Sequence, residues 1–241
     1  MIAAGLFRPA RGALCLANRA ISTSARINSE KIYELRTYAI KPKDFIDYMR
    51  LTYDHIGLRT NHSKLCGFWA TELGGLNQAV HIWEYDNFAH RTEVRKALSQ
   101  DEKWQSQYMA KMMPMLQRQE NLIMKAVPWY EMQKFQSRGG IYELRAYTLK
   151  TGKSEQWAHR WLQGLPARCK YSAPVGVWMS EIGTLNQVIH LWQYDSADER
   201  VRIRQEAFKE EEWAETVRDC GEFVKKMTSK ILIPTNFSPW K

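Results

Sequence analysis

The sequence predicts an α+β protein: two antiparallel sheets in one chain, each with helices on one face, packed sheet to sheet around a barrel-like interior. Two observations carry that expectation. The first is repetition at a constant offset. Ile32-Tyr33-Glu34-Leu35-Arg36-Thr37-Tyr38 returns as Ile141-Tyr142-Glu143-Leu144-Arg145-Ala146-Tyr147, 109 residues later. The stretch from Gly67 to Asp86 returns from Gly176 to Asp195 at the same offset, with 11 of 20 positions identical. Arg91, Arg95 and Trp104 match Arg200, Arg204 and Trp213 without a gap. Such agreement over separated blocks marks a tandem duplication. The second is the order within each copy, which reads strand, helix, hairpin, helix, strand.

Each element has a local reason. Residues 31–40 are β-branched and aromatic with alternation, and Pro42 stops the strand. Phe45, Tyr48, Met49, Thr52, His55, Ile56 and Arg59 recur at helical spacing within 43–60. Strands 64–73 and 78–86 flank Gly74-Gly75-Leu76-Asn77, a hairpin loop with the glycines that positive φ requires. Asn87 offers its side chain to the free amides of a helix running to about Leu98. A further helical stretch follows residues 99–102 and passes Trp104, Tyr108 and Met112, and the apolar closing strand falls within Asn121–Met132. The second copy repeats this order to Ile231-Leu232-Ile233 and ends in a Pro-containing tail. The expected division is a leader over 1–27, a first repeat over 28–133, a polar linker over 134–140 and a second repeat over 141–241.

Composition excludes several classes. A hydrophobic content of 44% over 241 residues argues against disorder, and no apolar run reaches the roughly 18 residues a transmembrane helix needs. The four cysteines (Cys15, Cys66, Cys169, Cys220) have neither C-x-x-C nor zinc spacing, which fits a reducing compartment. Residues 1–26 contain Arg8, Arg11, Arg19 and Arg26, the serines Ser22 and Ser24 and no acidic side chain, the signature of a mitochondrial transit peptide. Removing it lowers the net charge from +9 to +5 and leaves no basic cluster, so nucleic acid is not an expected partner. The nucleotide-binding, serine-hydrolase and zinc-protease motifs are all missing from the sequence.

Strand alternation sorts the repeated residues by face. Tyr33, Leu35, Val80 and Ile82 form an apolar set expected to meet the helices. Glu34, Arg36, Tyr38, His81, Trp83 and Tyr85, with Glu143, Arg145, Tyr147, His190, Trp192 and Tyr194, form a polar and aromatic set expected to meet between the two sheets. Gathered there, they are candidates for a ligand pocket. Glu34 with Arg36 also suits an ion pair that aligns strands, and no adjacent nucleophile completes a catalytic set. His81 and His190 read equally as hydrogen-bonded core histidines or as an acid/base pair or haem ligands.

The run Asp86-Asn87-Phe88-Ala89-His90-Arg91-Thr92-Glu93-Val94-Arg95-Lys96-Ala97-Leu98 and the ending Leu232-Ile233-Pro234-Thr235-Asn236-Phe237-Ser238-Pro239 resemble the NipSnap family, most closely its homolog 3 branch. The resemblance covers residue 30 to the C-terminus. It implies two ferredoxin-like repeats of the dimeric α+β-barrel type and a mitochondrial location, the matrix first and the cytosol second. It implies no established catalytic activity and no cofactor, and protein partners such as autophagy adaptors. The family roles it brings are mitochondrial quality control and vesicle transport, and peripheral membrane association is compatible with them. The alternative is an enzyme or sensor holding a small ligand or haem between the sheets. The copies diverge at Glu84 against Gln193, His62 against Tyr171 and Gly75 against Thr184, which argues against a site built equally by both halves.

Overall fold

Alternating β-branched and aromatic residues make β1 (Ile32–Ile40) the hub of the first half, hydrogen-bonded to a strand on each side. The computed structural model describes residues 31–134 and 139–241. The leader expected over 1–27 therefore lies outside the described residues, as do 135–138 of the linker. After β1 come α1 (Phe45–Thr60), β2 (Lys64–Leu73), β3 (Gln78–Tyr85) and α2 (Phe88–Gln100). A π-helical segment over Trp104–Met109 runs into a single turn, α3 (Ala110–Met112), before β4 (Leu116–Ala126). The second half consists of β5 (Ile141–Leu149), α4 (Ser154–Cys169), β6 (Gly176–Ile182), β7 (Gln187–Tyr194), α5 (Ala197–Ala207), α6 (Glu211–Gly221) and β8 (Val224–Pro234). Asn87 caps α2 as its chemistry requires, accepting the His90 N–H at 2.8 Å. Asn77 and Asn186, at φ of 54° and 57°, close the two hairpins in the left-handed region that asparagine tolerates.

The strands form one closed barrel in the order β1-β3-β2-β8-β5-β7-β6-β4, all antiparallel. The halves are joined edge to edge rather than only face to face. β2 pairs with β8 (Trp69 opposite Pro234) and β4 with β6 (Ala126 opposite Trp178), so no strand edge is left open. The closing strand of the first half differs from the expectation. It begins at Leu116, because Arg118, Gln119 and Glu120 continue the ladder against Ala39, Tyr38 and Thr37 through the backbone although their side chains are exposed. It stops two residues before Pro128.

The barrel interior reverses the expected faces. It is filled by Tyr33, Leu35, Trp69, Val80, Ile82, Leu122 and Met124 from the first half, with Tyr142, Leu144, Trp178, Ile189, Leu191 and Leu232 from the second. The polar and aromatic set faces outward and lies beneath the helices, where His190, Trp192 and Tyr194 meet α4–α6, and Tyr38, Trp83 and Tyr85 meet α1 and α2. Alternation separates two faces without saying which one turns inward. A narrow closed interior takes the apolar set, and helices that carry arginines can receive the polar one. The repeated Gly-x-Trp has a direct packing cause. Trp69 folds back over Gly67 and Trp178 over Gly176, so closely that a Cβ there would stand 2.2 and 2.3 Å from the rings. The tail completes the filling: Trp240 enters the interior with its ring 6.3 Å from Trp69 and 6.5 Å from Trp178. Thr235 N–H donates to the Phe68 carbonyl at 3.0 Å, and Phe68 N–H donates to Ser238 Oγ at 3.0 Å. Among the described residues, no helix is long and apolar enough to cross a membrane.

Candidate functional site

The side chains most able to do chemistry gather in two related clusters, one under the helices of each half. In the first, strand register places Glu34 on β1 between Trp83 of β3 and Ile123 of β4. Its carboxylate is 1% exposed. Arg91, from the first turns of α2, grips both oxygens, Nη2 to Oε1 at 2.9 Å and Nε to Oε2 at 3.2 Å. Asn121 Nδ2 donates to Oε1 at 2.9 Å, and the Tyr85 hydroxyl donates to Oε2 at 3.1 Å. That hydroxyl in turn accepts from Arg59 Nη2 of α1 at 2.7 Å, and the Arg59 guanidinium lies over the Trp83 ring, 4.1 Å from its centroid. Arg36, the expected partner of Glu34, does pair with it, but as a longer ion contact of 3.9 Å, beyond hydrogen-bond reach.

The second cluster keeps the plan and changes the contacts. Glu143 Oε1 accepts from Arg200 Nη2 at 2.5 Å, Arg145 Nη1 at 2.7 Å and Ser229 Oγ at 2.7 Å. Here the strand arginine, Arg145, is a direct partner. Arg168 of α4 takes the place of Arg59, donating to the Tyr194 hydroxyl at 3.0 Å and lying 4.4 Å from the Trp192 ring centroid. Burial alone would raise both carboxyls, but the arginine hydrogen bonds and nearby guanidinium charges outweigh it and hold Glu34 and Glu143 at about 2. Both are ionised and enclosed at neutral pH.

The histidines are held by their neighbours on the same strand. Trp83 Nε1 donates to His81 Nδ1 at 2.6 Å, and Trp192 Nε1 donates to His190 Nδ1 at 2.6 Å. A ring that accepts at Nδ1 is neutral and carries its proton on Nε2. Burial, reinforced by Arg36 in one half and Arg145 in the other, pushes both histidines well below their ordinary range. Tyr38 and Tyr147 meet the imidazoles edge-on, with ring centroids 4.8 Å apart in each case, and Phe68 stacks on His81 at 4.8 Å. The expected ligand or haem pocket between the sheets therefore loses both histidines to the opposite face. Among the described residues, no group of three His, Cys, Asp or Glu side chains is placed to hold a metal.

The sequence points to the carboxylates, histidines and aromatics but not to the residues that hold them: Arg59, Arg91, Arg168 and Arg200 from the helices, with Asn121 from β4 and Ser229 from β8. The signal was present. Arg59 and Arg168, like Arg91 and Arg200, share the 109-residue offset, and a charged residue kept by both copies on the buried side of a helix calls for a buried counter-charge.

The NIPSNAP family model matches the chain twice, over residues 33–131 and 142–239. The chain belongs to the NIPSNAP family. Among curated relatives, NipSnap homolog 3A of Homo sapiens is 38% identical over 212 residues, covering 87% of this chain and 85% of that protein. NipSnap homolog 3B of Mus musculus is 36% identical over 223 residues, covering 91% and 90%. Among solved structures, an anthrone oxidase-like protein covers 88% of this chain and 94% of its own with a TM-score of 0.64; at 9% identity it shares the α+β-barrel fold alone. Both NIPSNAP matches span a Glu-x-Arg on the first strand, a His-x-Trp on the hairpin and an arginine on the following helix. The two clusters are thus the repeated framework of this NIPSNAP chain.

Proposed function

We propose that this NIPSNAP chain is a non-enzymatic interaction protein of mitochondria, a rigid barrel that presents helices and loops to protein partners in quality control or vesicle transport. One observation carries the reading: the side chains best suited to chemistry are committed within the framework, the carboxylates to helix arginines and the histidines to tryptophans of their own strands. Glu34 and Glu143 are enclosed by arginines, and His81 and His190 are fixed neutral by Trp83 and Trp192. In this reading residues 28–133 and 141–241 are two ferredoxin-like repeats of one scaffold, and residues 1–27 direct import into the matrix. The kinship with NipSnap homolog 3A and 3B supports it.

Two experiments test the reading. A tagged full-length chain should enter mitochondria, and a chain lacking residues 1–26 should stay in the cytosol; unchanged mitochondrial localisation sinks the import assignment. Purified autophagy adaptors should bind the folded chain, and His81→Ala or His190→Ala should leave that binding intact. A chromophore that co-purifies with the chain and is lost selectively in the histidine variants would replace the scaffold with the ligand-binding alternative.

A further inference from the structure

The two clusters differ in charge balance, and the difference opens to the surface. Arg200 and Arg204, one turn apart on α5, edge an open depression of about 390 Å³ that Val201, Gln205 and Phe208 complete. Arg200 Nη2 is committed to Glu143, while its buried Nε has no partner among the described residues. Arg204 is half-buried and, among the described residues, pairs with no carboxylate: the hydrogen bonds of Glu143 go to Arg145, Arg200 and Ser229. The acidic side chains beside Arg204 on α5 are engaged elsewhere, Glu199 with Arg202 at 3.5 Å and Glu206 with Lys209 at 2.8 Å. Arg145, Arg200 and Arg204 thus crowd around one carboxylate, with Arg168 adding its charge beside Arg204, and burial with the nearby Arg145 charge pushes Arg204 below its ordinary range. A half-buried cationic surplus is relieved by an anion from solution. Val201 and Phe208 leave large apolar side chains exposed at the same rim, 47% and 45% respectively.

We propose that this depression binds a small amphiphilic oxyanion, a carboxylate or phosphate monoester bearing a short apolar chain, with Arg204 holding the anionic head while Phe208 and Val201 cover the chain. Arginine suits the head because its planar fork of donors matches two oxygens at once. The volume falls at the lower end of small-molecule sites. The first half does not repeat the chemistry: the corresponding positions are Arg91, Thr92, Arg95, Lys96 and Ser99, with no aromatic wall and an exposed Arg95. The site is independent of the partner reading above, since it uses neither protein contacts nor location.

The test uses the full chain, titrated with octyl phosphate, octanoate and inorganic phosphate and followed by calorimetry and by amide shifts on α5. Octyl phosphate and octanoate should saturate, with inorganic phosphate roughly tenfold weaker for want of the apolar wall. Arg204→Gln should weaken octyl phosphate roughly tenfold or more, the loss expected for a charge-assisted pair, and Arg95→Gln should change nothing. Phe208→Ala, at an exposed side chain, should bring octyl phosphate down toward inorganic phosphate, and it carries the test if Arg204→Gln melts early. Phosphatidylcholine vesicles doped with phosphatidic acid separate the sources. Sedimentation that depends on Arg204 and Phe208 assigns a lipid headgroup, and octyl phosphate binding without sedimentation assigns a soluble anion. No saturable binding of either amphiphile, binding that survives both Arg204→Gln and Phe208→Ala, or an equal loss in Arg95→Gln would overturn the proposal.

Discussion

Replacing Arg91 with alanine should unfold the first half far more readily than replacing Arg36, although Arg36 is the arginine that stands beside Glu34 in the sequence. Arg91 supplies two hydrogen bonds, one to each carboxylate oxygen, whereas the Arg36 nitrogen is 3.9 Å away. Without Arg91, a carboxylate that is 1% exposed keeps only the neutral donors Asn121 and Tyr85 at bonding distance. Breaking a buried pair by removing one partner costs about 3–5 kcal/mol, whereas losing the longer contact to Arg36 should cost about 1 kcal/mol. For a chain of this size that is a drop in Tm of roughly 6–20 °C for Arg91→Ala against about 2–4 °C for Arg36→Ala. The second half should behave differently, because Arg145 and Arg200 both bond Glu143 directly, so either alanine variant should cost about 3 kcal/mol. Urea unfolding at pH 7 measures all four. If Arg36→Ala proved as damaging as Arg91→Ala, the sequence-adjacent pair would be the true one and the assignment to α2 would fall.

Acid should weaken the protein in two stages. His81 and His190 are neutral when folded, so below about pH 6.5 the unfolded chain takes up their protons first and each removes up to ~1.4 kcal/mol per pH unit. Glu34 and Glu143 are held at about 2, so their contribution of about 3 kcal/mol each is complete above pH 4.5 and lost as pH falls toward 2; a stability that stays flat from pH 7 to 4 contradicts this. Trp240→Ala should cost about 3–5 kcal/mol by opening a hole beside Trp69 and Trp178, measurable as a lower urea midpoint. A fragment of residues 28–134 should aggregate or self-dimerise, because it bares the β2 and β4 edges together with Trp69, Leu122 and Met124; a well-behaved monomer would count against the shared barrel.

Local chemistry made most elements legible and left their inner faces open. The hairpin around Gly74 and Asn77, the Asn87 cap and the limits of β2 follow from turn, capping and alternation rules that act within a few residues. The start of the closing strand is not legible, because residues 117–120 are polar and their pairing with β1 is a backbone matter invisible to hydrophobic pattern. The inversion of faces had a different origin. Tyr33, Leu35, Val80 and Ile82 mark a buried side in either arrangement, and only barrel closure through β2–β8 and β4–β6 decides that this side is the interior. The partners of Glu34 were hidden for a related reason: Arg91 lies 57 residues away, and which face of α2 turns toward β1 depends on how the helix docks. The penultimate Trp240 gave no periodic signal, so its place in the core was not expected.

The histidines beneath the helices are the decisive groups, structural if neutral and held, reactive if open. Nitrogen-15 NMR of the imidazoles in the full chain reads their tautomer and charge directly. The structure predicts that both His81 and His190 hold the proton on Nε2, accept at Nδ1 from Trp83 and Trp192, and stay neutral from pH 8 down to pH 5. Two imidazoles that titrate near pH 6.5, or shift when haem is added, would show open and reactive side chains and contradict the reading of these clusters as framework.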